Sequence, residues 1–285
     1  MKRAIFLIFI LLAAVPLFSQ SFGGGDGTES SPYEIYTKAH LEELANYVNA
    51  GNDCHGKYFV QKQDIRDTVT KMIGYYIGET NKRVFRGNYN GNFYLIVLNI
   101  ENEGIDEYGY HSGSALFPKI RDATLTNIVV SGNVKGVQVV GGIVGSDESV
   151  TSIGGITTTS TISGCTNYAN IEGEVAVGGI IGAVHNNCVV SDCLNLGTVE
   201  SGSSEGGIIG NIGEIGSYKG VVNILISNCI NAGNIGSDRE PIWEIKRTSG
   251  IVGILWLRNP GTNSVINCIN IGVVKDGKGI ANIRY

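Results

Sequence analysis

ISGCTNYANIEGEVAVGGIIG, running from Ile162 to Gly182, recurs in altered form four more times in this chain of 285 residues. Ile128 to Gly145 reads IVVSGNVKGVQVVGGIVG, and Val190 to Gly210 reads VSDCLNLGTVESGSSEGGIIG. Ile226 to Gly253 reads ISNCINAGNIGSDREPIWEIKRTSGIVG, and Val265 to Tyr285 reads VINCINIGVVKDGKGIANIRY. The unit is [IV]-x-x-C-x-N-x-G-x-[IV], a spacer, then G-G-I-[IV]-G. Cys165, Cys193, Cys229 and Cys268 share one position, filled by Ile128 in the first unit. Asn167, Asn195, Asn231 and Asn270 follow two residues later. Gly132, Gly197, Gly233 and Gly272 come next, with Ala169 in place of one glycine. The step from the small aliphatic to the paired glycines is constant from Val134 to Gly141, Ile171 to Gly178 and Val199 to Gly206. Carried to the last unit, it makes Ala281-Asn282 the degraded pair.

Self-similarity at this period marks a stacked-repeat architecture. Within each unit apolar and polar residues alternate in short runs broken by Gly and Asn, the period of strands and not of helices. The expected fold is all-β: a right-handed parallel β-helix, or β-solenoid, with two or three short strands per unit. About five coils at strand spacing give a rod on the order of 25 Å long. The repeated residues suit that core. Cysteine is small and readily buried, asparagine tolerates left-handed turns and bonds along a stack, and paired glycines allow close backbone approach. In-register neighbours hold Cβ atoms farther apart than a disulfide prefers, so the four stacked cysteines are expected as buried free thiols. Cys54 and Cys188 lie outside that position, and their pairing is left open.

Residues 1–19 read as a signal peptide, with Lys2 and Arg3 before an apolar run to Leu17 and a cut after Ser19. That run is too short to span a bilayer, and no second candidate span follows. Removing Lys2 and Arg3 leaves 19 basic residues against 26 acidic, which argues against nucleic acid and anionic lipid as partners. Residues 20–120 are read as an N-terminal cap and first coils, and 121–285 as the repeats. Thr37 to Ala50 is the one convincing helix, with Thr37 as N-cap, Ala39, Leu41, Leu44, Ala45 and Val48 on one face, and Gly51 as terminator. It is the expected cap for the open end of the solenoid. Strand-like stretches are Pro32 to Tyr36, Lys57 to Ile65, Lys71 to Gly78 and Val84 to Ile100, with a turn expected at Tyr89 to Asn92.

The order of these segments is itself distinctive. Gly25-Asp26-Gly27-Thr28 precedes Pro32-Tyr33-Glu34-Ile35, then Leu41 to Gly51, Tyr58 to Ile65, Phe85 to Asn92, Leu116 to Ile120 and the G-G-I-V-G repeats. This order resembles the GLUG-motif β-helix proteins of bacterial surfaces, whose module also accompanies immunoglobulin-A-cleaving metalloproteases. The resemblance covers nearly all of the chain after residue 19. It implies an exported right-handed β-helix used in surface architecture or adhesion, and no shared catalytic residue. Ser114-Ala115, Pro118 and Asn90 depart from the family pattern at turns. The protease signature H-E-x-x-H is absent, since His40 is followed by Leu-Glu-Glu-Leu.

Chemistry-bearing clusters are sparse. His40, His55, His111 and His185 fall on unlike segments, without the spacing of a zinc site, and His40 is expected to be an exposed helix residue. Polysaccharide-cleaving β-helices need carboxylates clustered across coils; Asp192, Glu172, Glu200 and Glu214 do not recur at one register of the repeat. The glycine pairs lack the strand–loop–helix context and the G-K-[ST] of a nucleotide loop. No cofactor is called for. Two features suggest contact surfaces. Ten of the thirteen tyrosines lie between Tyr33 and Tyr110, and Tyr75, Tyr76, Tyr108 and Tyr110 are taken as candidate ligand contacts. The fourth unit carries an excursion, SDREPIWEIKRT, with Trp243 as a further candidate contact. The expectation is a monomeric, non-catalytic protein, secreted, periplasmic or at the bacterial cell surface, whose partner is an extracellular glycan or a host or cell-surface protein. The alternative is a polysaccharide lyase or glycoside hydrolase.

Overall fold

The computed structural model describes residues 22–77, 81–102, 113–147, 158–185, 187–213, 222–236, 247–256, 260–275 and 279–284. Residues 1–19, Tyr108, Tyr110 and Trp243 lie outside them. The described strands form a right-handed parallel β-helix, the hand that parallel crossovers adopt. Each full coil has four strand positions, one more than the largest number read from the repeat. The first sheet stacks eight strands: Tyr33–Ile35, Tyr58–Gln61, Asn88–Asn90, Thr124–Thr126, Ser160–Ser163, Cys188–Ser191, Val222–Ser227 and Pro260–Ile266. At about 4.8 Å per strand this sheet is roughly 35 Å deep, longer than the repeats alone suggest, because stacking begins at Tyr33.

The second sheet runs from Ile65–Val69 through Leu95–Asn102 and Val129–Gly136 to Ile269–Asn270. Val129–Gly136 is continuous, whereas the next coil splits the same edge into Thr166–Asn167 and Asn170–Glu172. The third sheet stacks Val139–Gly141, Ala176–Gly178, Ser204–Gly206 and Arg247–Ser249, and the fourth runs from Phe117–Ile120 to Ala281–Arg284. Third-sheet strands are buried throughout, except for the half-buried first residues Val139 and Arg247, so they show no apolar–polar alternation and escape a period-2 reading. Tyr75–Ile77 and Asn81–Arg83 pair as an antiparallel hairpin, not as coil strands.

From the coil of Thr124–Thr126 onward, two of the four corners have fixed length. From the first sheet to the second the linkers are Asn127-Ile128, Gly164-Cys165, Asp192-Cys193, Asn228-Cys229 and Asn267-Cys268. The leading residue has φ between 53° and 64° at these five rungs: Asn127 53°, Gly164 64°, Asp192 55°, Asn228 54° and Asn267 54°. Asn, Asp and Gly are the residues that enter this left-handed region at least cost. From the third sheet to the fourth the linkers are Gly142-Ile143, Gly179-Ile180, Gly207-Ile208 and Gly250-Ile251. The other two corners vary. Between second and third sheets the chain spends three residues after Glu172 but eleven after Ile235. Between fourth and first it spends three after Val184 and twelve after Asp147.

The turn role expected of Asn167, Asn195 and Asn231 thus belongs to the residue immediately before each cysteine. The ladder asparagines lie in strands, fully buried. Asn167 Nδ2 donates to Asn195 Oδ1 at 2.8 Å, Asn195 Nδ2 to Asn231 Oδ1 at 2.7 Å, and Asn231 Nδ2 to Asn270 Oδ1 at 2.7 Å. Each Nδ2 also donates at 3.0 Å to the backbone carbonyl two residues on. This explains why the motif couples Asn to Gly-Gly. A Cβ on Gly179 would lie 2.4 Å from Asn195 Cγ and 2.2 Å from Gly207 O. Gly142, Gly207 and Gly250 meet Asn167, Asn231 and Asn270 in the same way. Gly250 in turn stacks on Gly279, and Val252 pairs with Ala281. Ala281 is therefore a strand residue and Gly279 the last member of the glycine column, because the final coil is shorter than its predecessors.

All six cysteines are free thiols, Cys54 and Cys188 included. Cys165, Cys193 and Cys229 are buried and Cys268 is half-buried. Each Sγ donates to the carbonyl two residues before it, at 3.2–3.4 Å. Contact with the Cys193 thiol, then burial, pushes the Cys229 thiol up to about 12, and burial pushes Cys54 to about 12. Toward the N-terminus the core changes from small side chains to rings: Phe59–Phe85, Phe85–Phe117 and Tyr89–Phe117 centroids are 6.0, 4.9 and 5.6 Å apart. Tyr89 is therefore a buried strand residue, and the expected turn falls at Asn92-Phe93, whose φ values are 50° and 61°.

The helix spans Lys38–Asn49, with Thr37 Oγ1 accepting from His40 N at 3.3 Å. Leu41, Leu44, Ala45 and Val48 are buried, whereas Ala39 is exposed, because it sits beyond the edge of the covered stripe. His40 is half-buried: its Nδ1 accepts from Tyr36 N at 3.1 Å and ties the helix to the preceding strand. Asn49 secures the other side, donating from Nδ2 to Met72 O at 3.3 Å and accepting from Gly74 N at 2.9 Å.

Candidate functional site

Strand alternation turns every second residue of the first sheet outward, and parallel stacking aligns those residues in columns. One outward column is Tyr58, Asn88, Thr124, Thr161, Val189, Leu225 and Ser264. The next is Glu34, Val60, Asn90, Thr126, Ser163, Ser191, Ser227 and Ile266. At the N-terminal end these columns floor a groove of about 390 Å³, flanked by Glu29 and Pro32. A second groove of about 450 Å³, at the other end of the same sheet, is lined by Thr159, Asn187, Val189, Asn223, Leu225 and Ser264. Both present hydroxyl and amide groups beside apolar surface.

The first groove is held in place by its own ladders. Asn90 Oδ1 accepts from Asn92 N at 2.9 Å and from Asn127 Nδ2 at 3.2 Å, and Asn88 Nδ2 donates to Lys57 O at 3.3 Å. Lys57 lies over the Tyr33 ring, 5.8 Å from its centroid. Glu34, below Val60 in its column, is engaged by Lys62 at 3.0 Å and by Tyr36 Oη at 3.0 Å. The hydrogen bonds from Lys62 and Tyr36 hold its carboxyl below the usual carboxylate range. Asp26 accepts from both the backbone N and Oγ1 of Thr28, at 3.0 and 2.7 Å, and these bonds lower its pKa likewise. Glu29 is the carboxylate that lines the groove.

Two acidic positions do share a register, against the sequence reading: Glu172 pairs with Glu200 in adjacent coils of the second sheet. Lys135, one coil below, lies 3.7 Å from Glu172. Two further carboxylates are fully buried inside the coils. Glu205 Oε1 accepts from Ser201 N at 2.7 Å and its Oε2 from Thr248 Oγ1 at 3.4 Å. Asp147 Oδ1 accepts from Ser160 Oγ at 2.7 Å. Neither lines either of these two grooves. Among the described residues no three His, Cys, Asp or Glu side chains are placed to hold a metal ion.

Of the candidate contacts read from sequence, Tyr75 and Tyr76 pair with Arg83 and Lys82 in the hairpin. Gly74, at the base of that hairpin, packs beside Lys119 of the fourth sheet, away from the grooves. Tyr108, Tyr110 and Trp243 lie outside the described residues. Sequence reasoning missed Tyr58, Asn88, Asn90, Thr124 and Thr126. Their only signal is an outward small-polar position at period 2, in strands without a repeated motif.

No family model matches the chain. Over 97 residues it is 37% identical to a candidate Gly-rich membrane protein of Evansella cellulosilytica, and over 164 residues 28% identical to the halomucin of Haloquadratum walsbyi. Those matches cover 32% and 55% of this chain but only 10% and 2% of the relatives' own length. Among solved structures, a candidate immunoglobulin A1 protease from Bacteroides ovatus is similar in fold, with a TM-score of 0.57, 17% sequence identity and coverage of 92% of this chain and 87% of that one. At that identity the likeness is one of fold: this chain is an all-β parallel β-helix of the kind that structure contains.

Proposed function

We propose that the chain is an exported, non-catalytic surface protein of the GLUG-motif type, and that it binds extracellular glycan along the outer face of its first sheet. The groove over Tyr58, Asn88, Asn90, Thr124 and Thr126 carries this reading. An aromatic face beside fixed amide and hydroxyl groups matches the apolar faces and hydroxyl edges of a sugar. The names of the two sequence relatives, a membrane protein and a halomucin, support a location at or beyond the cell surface. So does the apolar leader at residues 1–19, and no described helix is long and apolar enough to cross a membrane.

Glycosidic cleavage uses two carboxyl groups facing each other across the scissile bond. Glu29 is the groove's one lining carboxylate, and Glu34 is engaged by Lys62. A hydrolytic second reading has one specific observation in its favour, the shared register of Glu172 and Glu200. A glycan array with the purified protein tests both readings. Binding that falls at least tenfold in Tyr58→Ala and Asn88→Ala, with unchanged melting and no new reducing ends, is the expected result. Chain cleavage abolished by Glu172→Gln or Glu200→Gln would establish the enzyme instead.

A further inference from the structure

The outer walls of the solenoid differ in character. On the first sheet the outward columns carry hydroxyl or amide groups at most rungs. On the second sheet the column Leu95, Val129, Thr166, Leu194, Ile230 and Ile269 is aliphatic at every rung but one. The neighbouring column adds Val97, Tyr168, Leu196 and Ile271. These side chains alternate with the buried Ile96, Val130, Asn167 and Asn195, so they point away from the core. Tyr168 is 53% and Leu196 39% exposed, although coils stack on both sides of each. Stacking covers the ends of a coil and not its wall, so this stripe stays open however many coils the rod has. A solvated sheet face is ordinarily polar, yet neither column holds a charged side chain. The charges Lys135, Glu172 and Glu200 lie at one margin, beyond a row of Asn133, Asn170 and Thr198. Phe93, in the corner that leads into Leu95, is 65% exposed and has φ of 61°. A bulky side chain enters that left-handed region only at a cost, and here its ring lies in water.

We infer that two copies pair side by side through this stripe, about a two-fold axis. An in-register array of aliphatic columns is matched by a second array of the same kind, as when two sheets pack face to face about 10 Å apart. The chain itself carries that array, and an isologous pair closes without further growth. An uncharged centre beside a polar and charged margin is the anatomy of a protein–protein interface. Phe93 and Tyr168 supply aromatic anchors of the kind that dominate binding energy, and burying the Phe93 ring offsets the cost of its backbone. The exposed parts of the stripe amount to on the order of 500 Å² per copy, at the upper end of what a monomer leaves in one patch. Two copies then bury about 1,000 Å² before the polar margin is counted, the size at which an interface becomes specific. The inference departs from the monomeric expectation. It concerns a different wall from the two grooves and does not depend on glycan binding.

Sedimentation equilibrium and small-angle scattering of the purified protein test it. A concentration-dependent dimer is expected, with a doubled cross-section and a maximum dimension close to the monomer's. Tyr168→Lys with Leu196→Lys should weaken dimerisation at least tenfold, while Thr161→Lys on the first sheet leaves it unchanged. Phe93→Gly should also weaken the dimer, yet the diluted, monomeric variant should melt no lower than the parent, because glycine relieves the left-handed backbone. Circular-dichroism melts of every variant at that dilution separate lost association from lost folding. Monomer throughout the micromolar range would leave the stripe to another occupant, a different protein or a lipid surface, and overturn the inference. A dimer of nearly doubled length, open-ended polymers, or a dimer indifferent to the Tyr168 and Leu196 substitutions would overturn it as well.

Discussion

Asn195→Ala isolates what the buried amide column contributes. The side chain is fully buried and holds three hydrogen bonds: one accepted from Asn167 Nδ2 at 2.8 Å, and two donated, to Asn231 Oδ1 at 2.7 Å and to Gly197 O at 3.0 Å. Truncation deprives all three partners at once, in a site where Gly179 already packs against the amide. Each buried polar group left unpaired costs about 1–3 kcal/mol, so the expected loss over the three is roughly 3–9 kcal/mol. That is a large share of the 5–15 kcal/mol typical of a whole domain. Asn270→Ala is the internal control, because Asn270 is half-buried at the end of the column and water can replace its bonds; about 1 kcal/mol is expected there. Asn195→Asp keeps the shape but sets oxygen against Asn231 Oδ1. At neutral pH it should be worse than alanine. A carboxyl so placed titrates above its unfolded value, so the protonated form retains stability below about pH 4, and the deficit grows as pH rises. Urea denaturation followed by circular dichroism reads all three variants. Equal losses for Asn195→Ala and Asn270→Ala would refute the idea that the column's worth lies in buried pairing.

Gly179→Ala should cost at least about 3 kcal/mol, because the new Cβ meets backbone at 2.2 Å and amide at 2.4 Å, and calorimetry showing less than about 1 kcal/mol would contradict the packing argument. Leu44→Asp sets a charge into the fully buried helix face and should lower stability by several kcal/mol, with early proteolysis near residue 50; an unchanged melt means the helix is not docked. Thiol labelling of the native protein should modify Cys268 first, with Cys165, Cys193 and Cys229 reacting only on unfolding. Because Cys54 and Cys229 titrate near 12 when folded and near 8.5 when unfolded, their stabilising contribution is complete below about pH 8.5 and lost as pH rises toward 12. A urea midpoint that falls across that window, and falls less in Cys229→Ala, is the expected observation.

Much of this architecture is legible because stacking forces like residues onto like positions. The Cys and Asn columns and the helix could be read from spacing and amphipathic pattern alone. What escaped reading has physical reasons. Asn228 and Asn231 are the same residue three positions apart, one in a left-handed corner and the other buried in a strand, and only their place relative to Cys229 distinguishes them. Strands such as Ala176–Gly178 are buried on both sides and carry no alternation. The last glycine column was misplaced because the final coil is short, and a constant step points to Ala281 instead of Gly279. The groove draws Tyr58, Asn88 and Thr124 from coils without a repeated motif, so nothing in the sequence brings them together before the register is known.

The contrast between fixed and variable corners has a consequence for how such a chain diversifies. From the coil of Thr124–Thr126 onward two edges of the rod are rigid to the residue, set by left-handed Asn, Asp or Gly on one side and by Gly-Ile on the other. The remaining two already accommodate linkers of two to twelve residues while the parallel stacking continues on either side. Inheritance can therefore edit the surface and the spine separately. New segments accumulate along two lengthwise seams, while the inner columns stay under unrelated constraint. The same partition makes the molecule a natural display frame: a foreign peptide spliced after Asp147 or Ile235 would stand on a known side of the rod, at a height chosen by counting coils.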